Sequence, residues 1–283
     1  KYQEPMASHT SFRIGGPSQA MAFPKDEGEL SALLALAAKE GWPVRILGAG
    51  TNVLAPDEGL DGLTICLKDC LDGMKRVNDR EIEVMAGVTM TRAAVFAAKN
   101  GLSGMEFAHG IPGTVGGGVY MNAGAYGGEI RQVCSQVTVL NRNGEKKVLS
   151  NGEMGFSYRH SALEDTGDIV LSARFALTPD SESAIRERMK ELMAKRSASQ
   201  PLDMPSAGSA FKRPVGGYAA ALIDGAGLKG FAVGGAAIST KHAGFAVNLG
   251  GATAADVRGL LSQVSDRVFA QTGIRLEPEV RIW

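Results

Sequence analysis

The segment "HGIPGTVGGGVYMNAGAYGG" (residues 109–128) is the most informative stretch of the chain for its fold. It contains eight glycines and no lysine, arginine, aspartate or glutamate. Glycine allows a ligand to approach the main chain closely and leaves backbone N–H groups open to the ligand's edge. The segment therefore predicts a binding surface for a large flat group of little charge. The alternative is an ordinary glycine-rich turn between strands.

The segment "ILGAGTNVLAPDEG" (residues 46–59) is a second cluster of small residues, and it directly follows a predicted buried strand. Such a turn presents successive backbone N–H groups to an anion. It is neither a Rossmann fingerprint nor a P-loop, because Val53 occupies the place of the third glycine and no Gly-Lys-Ser/Thr follows. By itself it is also consistent with a tight turn. Two such clusters in one chain favour a cofactor with a phosphate group and a flat ring, such as an isoalloxazine.

The composition indicates a globular protein without a global charge. Its 283 residues are 44% hydrophobic, and 30 basic residues balance 30 acidic ones. No net field attracts nucleic acid or a membrane, and no apolar run approaches the roughly 20 residues of a membrane span. We expect a cytoplasmic protein. Cys66 and Cys70 have a spacing seen in metal sites, but no second Cys or His pair accompanies them, so no metal site is predicted.

Hydrophobic periodicity predicts an α+β protein. The predicted helices cover residues 26–41, 89–100, 180–196 and 253–273. The predicted strands cover residues 43–48, 63–67, 81–87, 136–141, 146–150, 169–177 and 274–283. The Asn143-Gly144 pair predicts a hairpin. Prolines in "SASQPLDMP", which follows the third helix, predict the main domain boundary near residue 198.

Eight short motifs along the chain carry a further signal. They are "HTSFRIGG" (9–16), "GAGTNVL" (48–54), "GIPGTVGGGVYMNAGAYGGEI" (110–130), "YRHS" (158–161), "SAGSAFKRP" (206–214), "AGLKG" (226–230), "KHAGFAVN" (241–248) and "LEPEVRIW" (276–283). Together, and in this order, they resemble the UDP-N-acetylenolpyruvoylglucosamine reductase family over essentially the whole chain. The short passage from Tyr158 to Phe175 leaves little room for an inserted substrate loop, so the chain resembles the compact type.

The resemblance implies a vanillyl-alcohol-oxidase-type FAD-binding fold of two subdomains plus a C-terminal α+β substrate domain. The expected boundaries are 1–67 and 68–198 for the FAD-binding subdomains and 199–283 for the substrate domain, whose final strand is able to return toward the FAD domain. It also implies non-covalent FAD, NADPH as hydride donor, and a UDP-sugar as the small-molecule substrate. The implied reaction reduces the enolpyruvyl group of UDP-N-acetylglucosamine enolpyruvate to UDP-N-acetylmuramate in peptidoglycan precursor synthesis. We expect a monomer or weak oligomer.

The resemblance assigns the two glycine-rich loops to FAD. The residues expected around the pyrophosphate are Gly48, Ala49, Gly50, Thr51 and Asn52. The residues expected along the flavin ring are Gly110, Pro112, Gly113, Thr114, Gly117, Asn122, Ala123 and Gly124.

Three residues match the catalytic positions of the family. Ser209 in "GSAFKRP" is the implied general acid, and Arg159 in "GFSYRHS" is the implied cation. A guanidinium is able to bind a carboxylate through two parallel hydrogen bonds and to stabilise charge that develops on it. The implied catalytic carboxylate is Glu279, immediately before Val-Arg. Glu277 is the alternative, since residues two apart on a strand share a face.

Four further residues are candidates for binding substrate. Lys212 and Arg213 supply local positive charge for the phosphates of FAD or of the UDP-sugar. Tyr158 and Gln200 are weaker candidates for contacting the nucleotide-sugar. His242 is left outside the catalytic set, because a histidine bonded within a turn is the commoner arrangement.

Two other functions explain part of the pattern. Another FAD oxidoreductase of the same fold shares the glycine loops but does not need Arg159, Ser209 and Glu279 together. A non-enzymatic nucleotide-binding module uses the loops as phosphate cradles, and such a protein is colourless and indifferent to NADPH.

Overall fold

Four of the seven helices form where the sequence predicts them. The computed structural model describes all residues, Lys1–Trp283. The helices are α1 (Glu27–Glu40), α2 (Met90–Lys99), α3 (Val115–Tyr120), α4 (Leu163–Thr166), α5 (Glu182–Ser199), α6 (Ala219–Gly225) and α7 (Ala254–Thr272). The four predicted helices are confirmed as α1, α2, α5 and α7. Asp26 caps α1 by accepting from the N–H of Glu29 at 2.8 Å, and Gly41 ends it in the left-handed conformation.

Nineteen short strands complete the secondary structure. They are β1 (Tyr2–Pro5), β2 (Pro17–Ala22), β3 (Val44–Leu47), β4 (Val53–Leu54), β5 (Leu60–Cys66), β6 (Met74–Arg76), β7 (Glu81–Met85), β8 (Leu102–Ser103), β9 (Gly124–Ala125), β10 (Gly128–Glu129), β11 (Cys134–Leu140), β12 (Lys146–Ser150), β13 (Ile169–Ala176), β14 (Thr178–Pro179), β15 (Ser206–Ser209), β16 (Ala232–Val233), β17 (Ala236–Ile238), β18 (Phe245–Asn248) and β19 (Arg281–Ile282). The α+β class is therefore confirmed.

The predicted strand over 274–283 is wrong in its extent. Only Arg281–Ile282 form a strand, β19, which pairs in parallel with β4. Pro278 has no N–H to donate to a ladder, and it makes a single isolated bridge with Phe211. The segment therefore runs as an irregular chain past residues 210–212 before it reaches β4.

The chain divides into two units. Unit 1 contains Lys1–Ala20, Gly50–Asp61 and Ser197–Trp283, and unit 2 contains Met21–Ala49 and Gly62–Arg196. The last change of unit lies at residues 196 and 197, beside the prolines of "SASQPLDMP". The finer division at residues 67 and 198 stays a prediction.

Unit 2 is built on a five-stranded antiparallel sheet with the order β12-β11-β13-β7-β6. The predicted hairpin between β11 and β12 is present, and Asn141 organises it by accepting from the N–H groups of Asn143 and Glu145. Helix α3 packs against β13 and β7. This packing fixes the glycine-rich segment that contains α3.

Unit 1 contains an antiparallel sheet with the order β15-β18-β17-β16, on which α7 packs. Thr253 and Asp256 form a capping box at the start of α7. Its buried face consists of Val257, Leu260, Leu261, Val264 and Val268, as the periodicity predicts. The N-terminal residues Phe12 and Ile14 join the same hydrophobic core, so the motif "HTSFRIGG" contributes to packing in this unit.

A separate four-stranded sheet has the order β1-β2-β5-β3, in which β3 and β5 are parallel. Because β3 ends at Leu47, the sheet delivers the chain directly into the first glycine-rich loop. No helix combines the length and the apolar character needed to cross a bilayer.

Candidate active site

The first glycine-rich loop (Gly48–Asn52) follows the end of β3. The backbone N–H groups of Gly48, Ala49 and Gly50 donate to no acceptor within the protein. Gly50 has φ +61°, and a Cβ there would lie 2.1 Å from the carbonyl oxygen of His9. Only glycine is therefore accommodated at this turn. Three consecutive open N–H groups form an arrangement suited to an anion such as a pyrophosphate.

The second glycine-rich loop (Gly110–Gly124) contains α3 and meets the first at one point. Thr114 is buried and caps α3, with its Oγ1 accepting from the N–H of Gly117 at 3.4 Å. A Cβ at Gly48 would lie 2.4 Å from this Oγ1. The N–H groups of Gly113 and Thr114 donate to no acceptor within the protein. Gly48 of the first loop and Thr114 of the second therefore lie in contact within unit 2, and each loop has open donors.

The three consecutive glycines of α3 have different surroundings: two are packed against other residues, and one faces open space. A Cβ at Gly116 would lie 3.0 Å from the Cβ of Ala86, and a Cβ at Gly118 would lie 2.7 Å from Sδ of Met90. Gly117 is exposed, and its Cβ would meet nothing closer than Thr114 Oγ1 at 3.6 Å. Glycine within a helix costs about 1 kcal/mol relative to alanine, so packing does not explain Gly117. The open face at Gly117 leaves room for a flat group, and the uncharged, glycine-rich lining is of the kind that an isoalloxazine ring would fit.

Gly117→Ala is expected to change stability and cofactor affinity in opposite directions. The apo-protein gains up to about 1 kcal/mol because alanine favours the helix. FAD affinity falls at least about tenfold because the new methyl group keeps the ring from the main chain. Thermal unfolding of apo-protein and titration of flavin fluorescence measure the two effects. Gly118→Ala is the control, and we expect it to destabilise the apo-protein through Met90. An unchanged FAD affinity in Gly117→Ala would show that the flavin ring does not lie against Gly117.

The buried side chain of Arg196 packs against the second glycine-rich loop at Gly110. Arg196 lies near the end of α5, and its Cδ would be 2.9 Å from a Cβ at Gly110. Burial lowers the pKa of its guanidinium, and nearby Tyr126 opposes this effect. The buried face of α5 comprises Ile185, Met189 and Arg196. The helical periodicity of hydrophobic residues did not reveal Arg196, because a charged residue takes the place of an apolar one.

Arg159 is presented by a tight turn. The N–H of Ser157 donates to the carbonyl of His160 at 3.1 Å, and the N–H of His160 donates back at 3.3 Å. Arg159 has φ +54°, a conformation that costs free energy in a residue other than glycine. Its Nη2 donates to the carbonyl of Gly124 at 3.4 Å, and its Cζ lies 5.3 Å from the ring centroid of exposed Tyr158. The structure therefore brings Arg159 to the end of the second glycine-rich loop.

The residues Pro112, Ala123 and Asn122 of the second glycine-rich loop, which are also predicted to contact FAD, have different environments. Pro112 is exposed, and Ala123 donates its N–H to the carbonyl of Gly118 at 2.8 Å. Asn122 is fully buried, and its side chain bonds to other parts of the protein. A role for Asn122 in contacting FAD stays a prediction.

Ser209 and Glu279 lie on neighbouring chain segments of unit 1. Ser209 ends β15, is partly buried, and its hydroxyl makes no hydrogen bond within the protein. The N–H of Glu279 donates to the carbonyl of Ala210, the next residue, at 2.9 Å. The side-chain amide of Asn52 donates to the carbonyl of Glu279 at 3.3 Å. The main chain of Glu279 therefore joins the segment of Ser209 to the first glycine-rich loop.

The two candidate glutamates have different surroundings. The side chain of Glu277 is 75% exposed, and its Oε2 lies 3.4 Å from Nζ of Lys212. Glu279 is partly buried, and its main chain is bonded on both sides. The irregular backbone around Pro278 separates the environments that a regular strand would have made alike. These differences favour Glu279 as the functional carboxylate.

The candidate substrate residues of unit 1 are distributed around Ser209 in sequence. Lys212 pairs with Glu277, and the guanidinium of Arg213 lies 4.4 Å from the ring centroid of exposed Tyr218. Gln200 has a buried side-chain oxygen, Oε1, that accepts no hydrogen bond within the protein. A role for Gln200 in binding the nucleotide-sugar stays a prediction. His242 accepts from the N–H of Gly244 at 3.0 Å, as a turn histidine does.

Two models of known protein families match the chain. Residues 18–150 match a family described as "FAD binding domain", and residues 200–283 match "UDP-N-acetylenolpyruvoylglucosamine reductase, C-terminal domain". These matches confirm the FAD-binding fold with a C-terminal α+β domain.

Full-length relatives carry the same name. The chain is 47% identical to the UDP-N-acetylenolpyruvoylglucosamine reductase of Lactobacillus helveticus, over 100% of this chain and 94% of that protein. It is 48% identical to that of Agathobacter rectalis, over 99% and 92%. The crystal structure of the Thermus caldophilus reductase superposes with a TM-score of 0.81 at 36% identity, covering 99% of this chain and 97% of that one. The chain therefore belongs to the UDP-N-acetylenolpyruvoylglucosamine reductase family.

Proposed function

We propose that this protein is an FAD-dependent oxidoreductase that uses NADPH to reduce the enolpyruvyl group of UDP-N-acetylglucosamine enolpyruvate, giving UDP-N-acetylmuramate for peptidoglycan synthesis. The observation that carries the proposal is the meeting of two glycine-rich loops at Gly48 and Thr114, each with open N–H donors. Family membership over the whole chain supplies the reaction. A cytoplasmic location and a monomeric or weakly oligomeric state stay predictions.

The residues of the two loops would hold FAD without a covalent bond. The N–H groups of Gly48, Ala49 and Gly50 suit the pyrophosphate, and those of Gly113 and Thr114 suit heteroatoms at the ring edge. The exposed face of Gly117 leaves room for the ring. Held there, FAD would supply the hydride-transfer chemistry that couples oxidation of NADPH to reduction of the enol ether.

The protein's own residues would control charge and protons on the substrate. Hydride addition to the enol ether places negative charge on the carbon that bears the carboxylate, and this charge spreads into the carboxylate. Arg159 binds the carboxylate and stabilises that charge. Ser209 donates the proton to the same carbon, and Glu279 orients the groups that surround it. Gln200, Tyr158, Lys212 and Arg213 bind the nucleotide-sugar.

A two-step spectroscopic experiment tests the proposal. Purified protein carrying FAD is mixed with NADPH without oxygen, and flavin absorbance is followed before and after adding UDP-N-acetylglucosamine enolpyruvate. We expect bleaching and then recovery. Bleaching without recovery would keep the flavoenzyme and reject this substrate. A protein that binds no added FAD would reject the cofactor and favour a nucleotide-binding module.

Arg159→Lys is expected to slow flavin reoxidation by substrate about 100-fold, because lysine keeps the charge but loses the two parallel hydrogen bonds. The flavin content and the rate of reduction by NADPH are expected to stay within about twofold, since the variant changes the group that binds the substrate carboxylate. Stopped-flow absorbance separates the two half-reactions. Wild-type reoxidation by the variant would remove Arg159 from the mechanism.

A further inference from the structure

Asn122 is the most heavily bonded buried side chain beside the turn that presents Arg159. It is fully buried and has φ +43°, a conformation that asparagine tolerates better than most residues. Its Nδ2 donates to the carbonyl of Ser157 and to Oε2 of Glu129, both at 2.9 Å. Its Oδ1 accepts from the N–H of Arg131, also at 2.9 Å. All the hydrogen-bonding capacity of the amide donor is therefore spent inside the protein.

The hydrogen-bond partners of the Asn122 amide belong to two segments, the turn that carries Arg159 and the hairpin that the Arg159 guanidinium contacts. Ser157 begins the tight turn whose central residues are Tyr158 and Arg159. Glu129 belongs to β10, which pairs with β9, and the carbonyl of Gly124 in β9 accepts from the Arg159 guanidinium. One side chain thus connects the backbone that carries Arg159 with the hairpin that its guanidinium contacts.

A second buried hydrogen bond holds the other end of the turn. Ser161 is fully buried, and its hydroxyl donates to the carbonyl of Tyr120, the last residue of α3, at 2.7 Å. The turn is therefore attached through Ser157 to Asn122, just after α3, and through Ser161 to the last residue of α3. These two attachments oppose the cost of the left-handed conformation at Arg159.

From this arrangement we propose that Asn122 is a positioning residue for the reduction, fixing the Ser157–His160 turn so that the Arg159 guanidinium meets the substrate carboxylate. The inference rests on the proposed function and adds to it a residue that acts through Arg159. Without the Ser157 bond the turn is free to relax toward a less strained conformation. A displacement of about 1 Å at a catalytic group is enough to cost roughly 100-fold in rate.

Asn122→Gly is the variant of choice, because glycine accepts the positive φ and removes only the side chain. We expect flavin reoxidation by substrate to slow about 10- to 100-fold, a larger loss than any change in the rate of reduction by NADPH. Asn141→Gly is the matched control. Asn141 is also buried, donates its amide to Glu145 Oε2 at 2.8 Å, and accepts from two backbone N–H groups. We expect this control to lose stability and to retain both half-reactions.

A double-mutant cycle separates positioning from general destabilisation. In an Arg159→Lys background, Asn122→Gly is expected to slow reoxidation by less than about threefold, because the geometry it protects is already lost. Additive effects of the two substitutions would overturn the proposal. Equal loss of both half-reactions in Asn122→Gly would also overturn it.

Hydrogen exchange provides a readout that does not depend on the substrate. The N–H groups of Ser157 and His160 are expected to exchange at least about tenfold faster in Asn122→Gly than in wild type or Asn141→Gly, since the turn opens more often. Unchanged exchange would show that Asn122 does not hold the turn. If wild-type flavin is not reoxidised by the enolpyruvyl substrate while the exchange difference persists, the proposed function fails and the attachment of the turn stands.

Discussion

Ser209→Ala is expected to lower the rate of flavin reoxidation by the enolpyruvyl substrate roughly 1,000-fold or more, because positioned proton donors contribute about 10² to 10⁴. The hydroxyl of Ser209 is partly buried and makes no hydrogen bond within the protein, so it is open to a substrate atom. Reduction of FAD by NADPH does not require this proton. We therefore expect that half-reaction to remain within about twofold of wild type. Anaerobic stopped-flow absorbance measures both rates.

Ser206→Ala provides the comparison on the same strand. The Ser206 hydroxyl accepts from the N–H of Gly208 at 3.0 Å, so its role lies in the local turn. We expect a loss of less than about tenfold in reoxidation, together with slight destabilisation of the folded protein. The solvent-deuterium effect on reoxidation adds a second criterion, because it should be large in wild type if proton donation limits the rate. A Ser209→Ala variant that turns over like Ser206→Ala would exclude Ser209 as the proton donor.

Glu279→Gln and Glu277→Gln are expected to differ by at least about 100-fold in the same single-turnover assay, with Glu279→Gln the slower. Glutamine retains the size of the side chain and removes the negative charge. The main chain of Glu279 is hydrogen-bonded to Ala210, next to Ser209, and to Asn52 of the first glycine-rich loop. At Glu277 the lost interaction is an ion pair with Lys212 between largely exposed groups, and such pairs contribute little.

Each of the two glutamine variants serves as a folding control for the other. Both positions lie within one short segment, and both substitutions preserve the backbone bonds between residues 210–212 and 277–279. Thermal unfolding should therefore shift by less than a few degrees in either case. If only Glu277→Gln stops reoxidation, Glu277 is the catalytic carboxylate and the structural argument from exposure is wrong.

The elements that the sequence predicted are those whose signals are local. Helix α7 is read from the spacing of its apolar residues and from Thr253 and Asp256 at its start, all within one segment. The predicted strands inside the five-stranded sheet are confirmed for the same reason. The final strand was wrong because alternation of apolar residues alone does not reveal that Pro278 interrupts a ladder.

The sequence likewise indicates some features of the candidate site and leaves out those that depend on residues distant in the chain. Glycine clusters at residues 46–59 and 109–128 indicate exposed main chain and a flat, weakly charged ligand, and the motifs indicate the family. The sequence does not distinguish Gly117 from Gly116 and Gly118, because the distinction depends on Ala86 and Met90, which are distant in the chain. The family motif selects Glu279 over Glu277, but the spacing of the two residues alone does not, and their difference in exposure depends on the irregular pairing with residues 210–212.

The sequence by itself determined the α+β class, the main helices, the two glycine-rich loops and the family with its reaction, because each depends on residues that are close in the chain or on ordered motifs. Only the tertiary structure decided that Asn122 serves the turn of Arg159. Its partner Ser157 is 35 residues away, and the two residues meet only because of how the folded chain is arranged. A buried side-chain amide is hydrogen-bonded to groups that the fold brings near it, and these groups can be distant in the chain. Composition and local spacing therefore do not predict which groups they are.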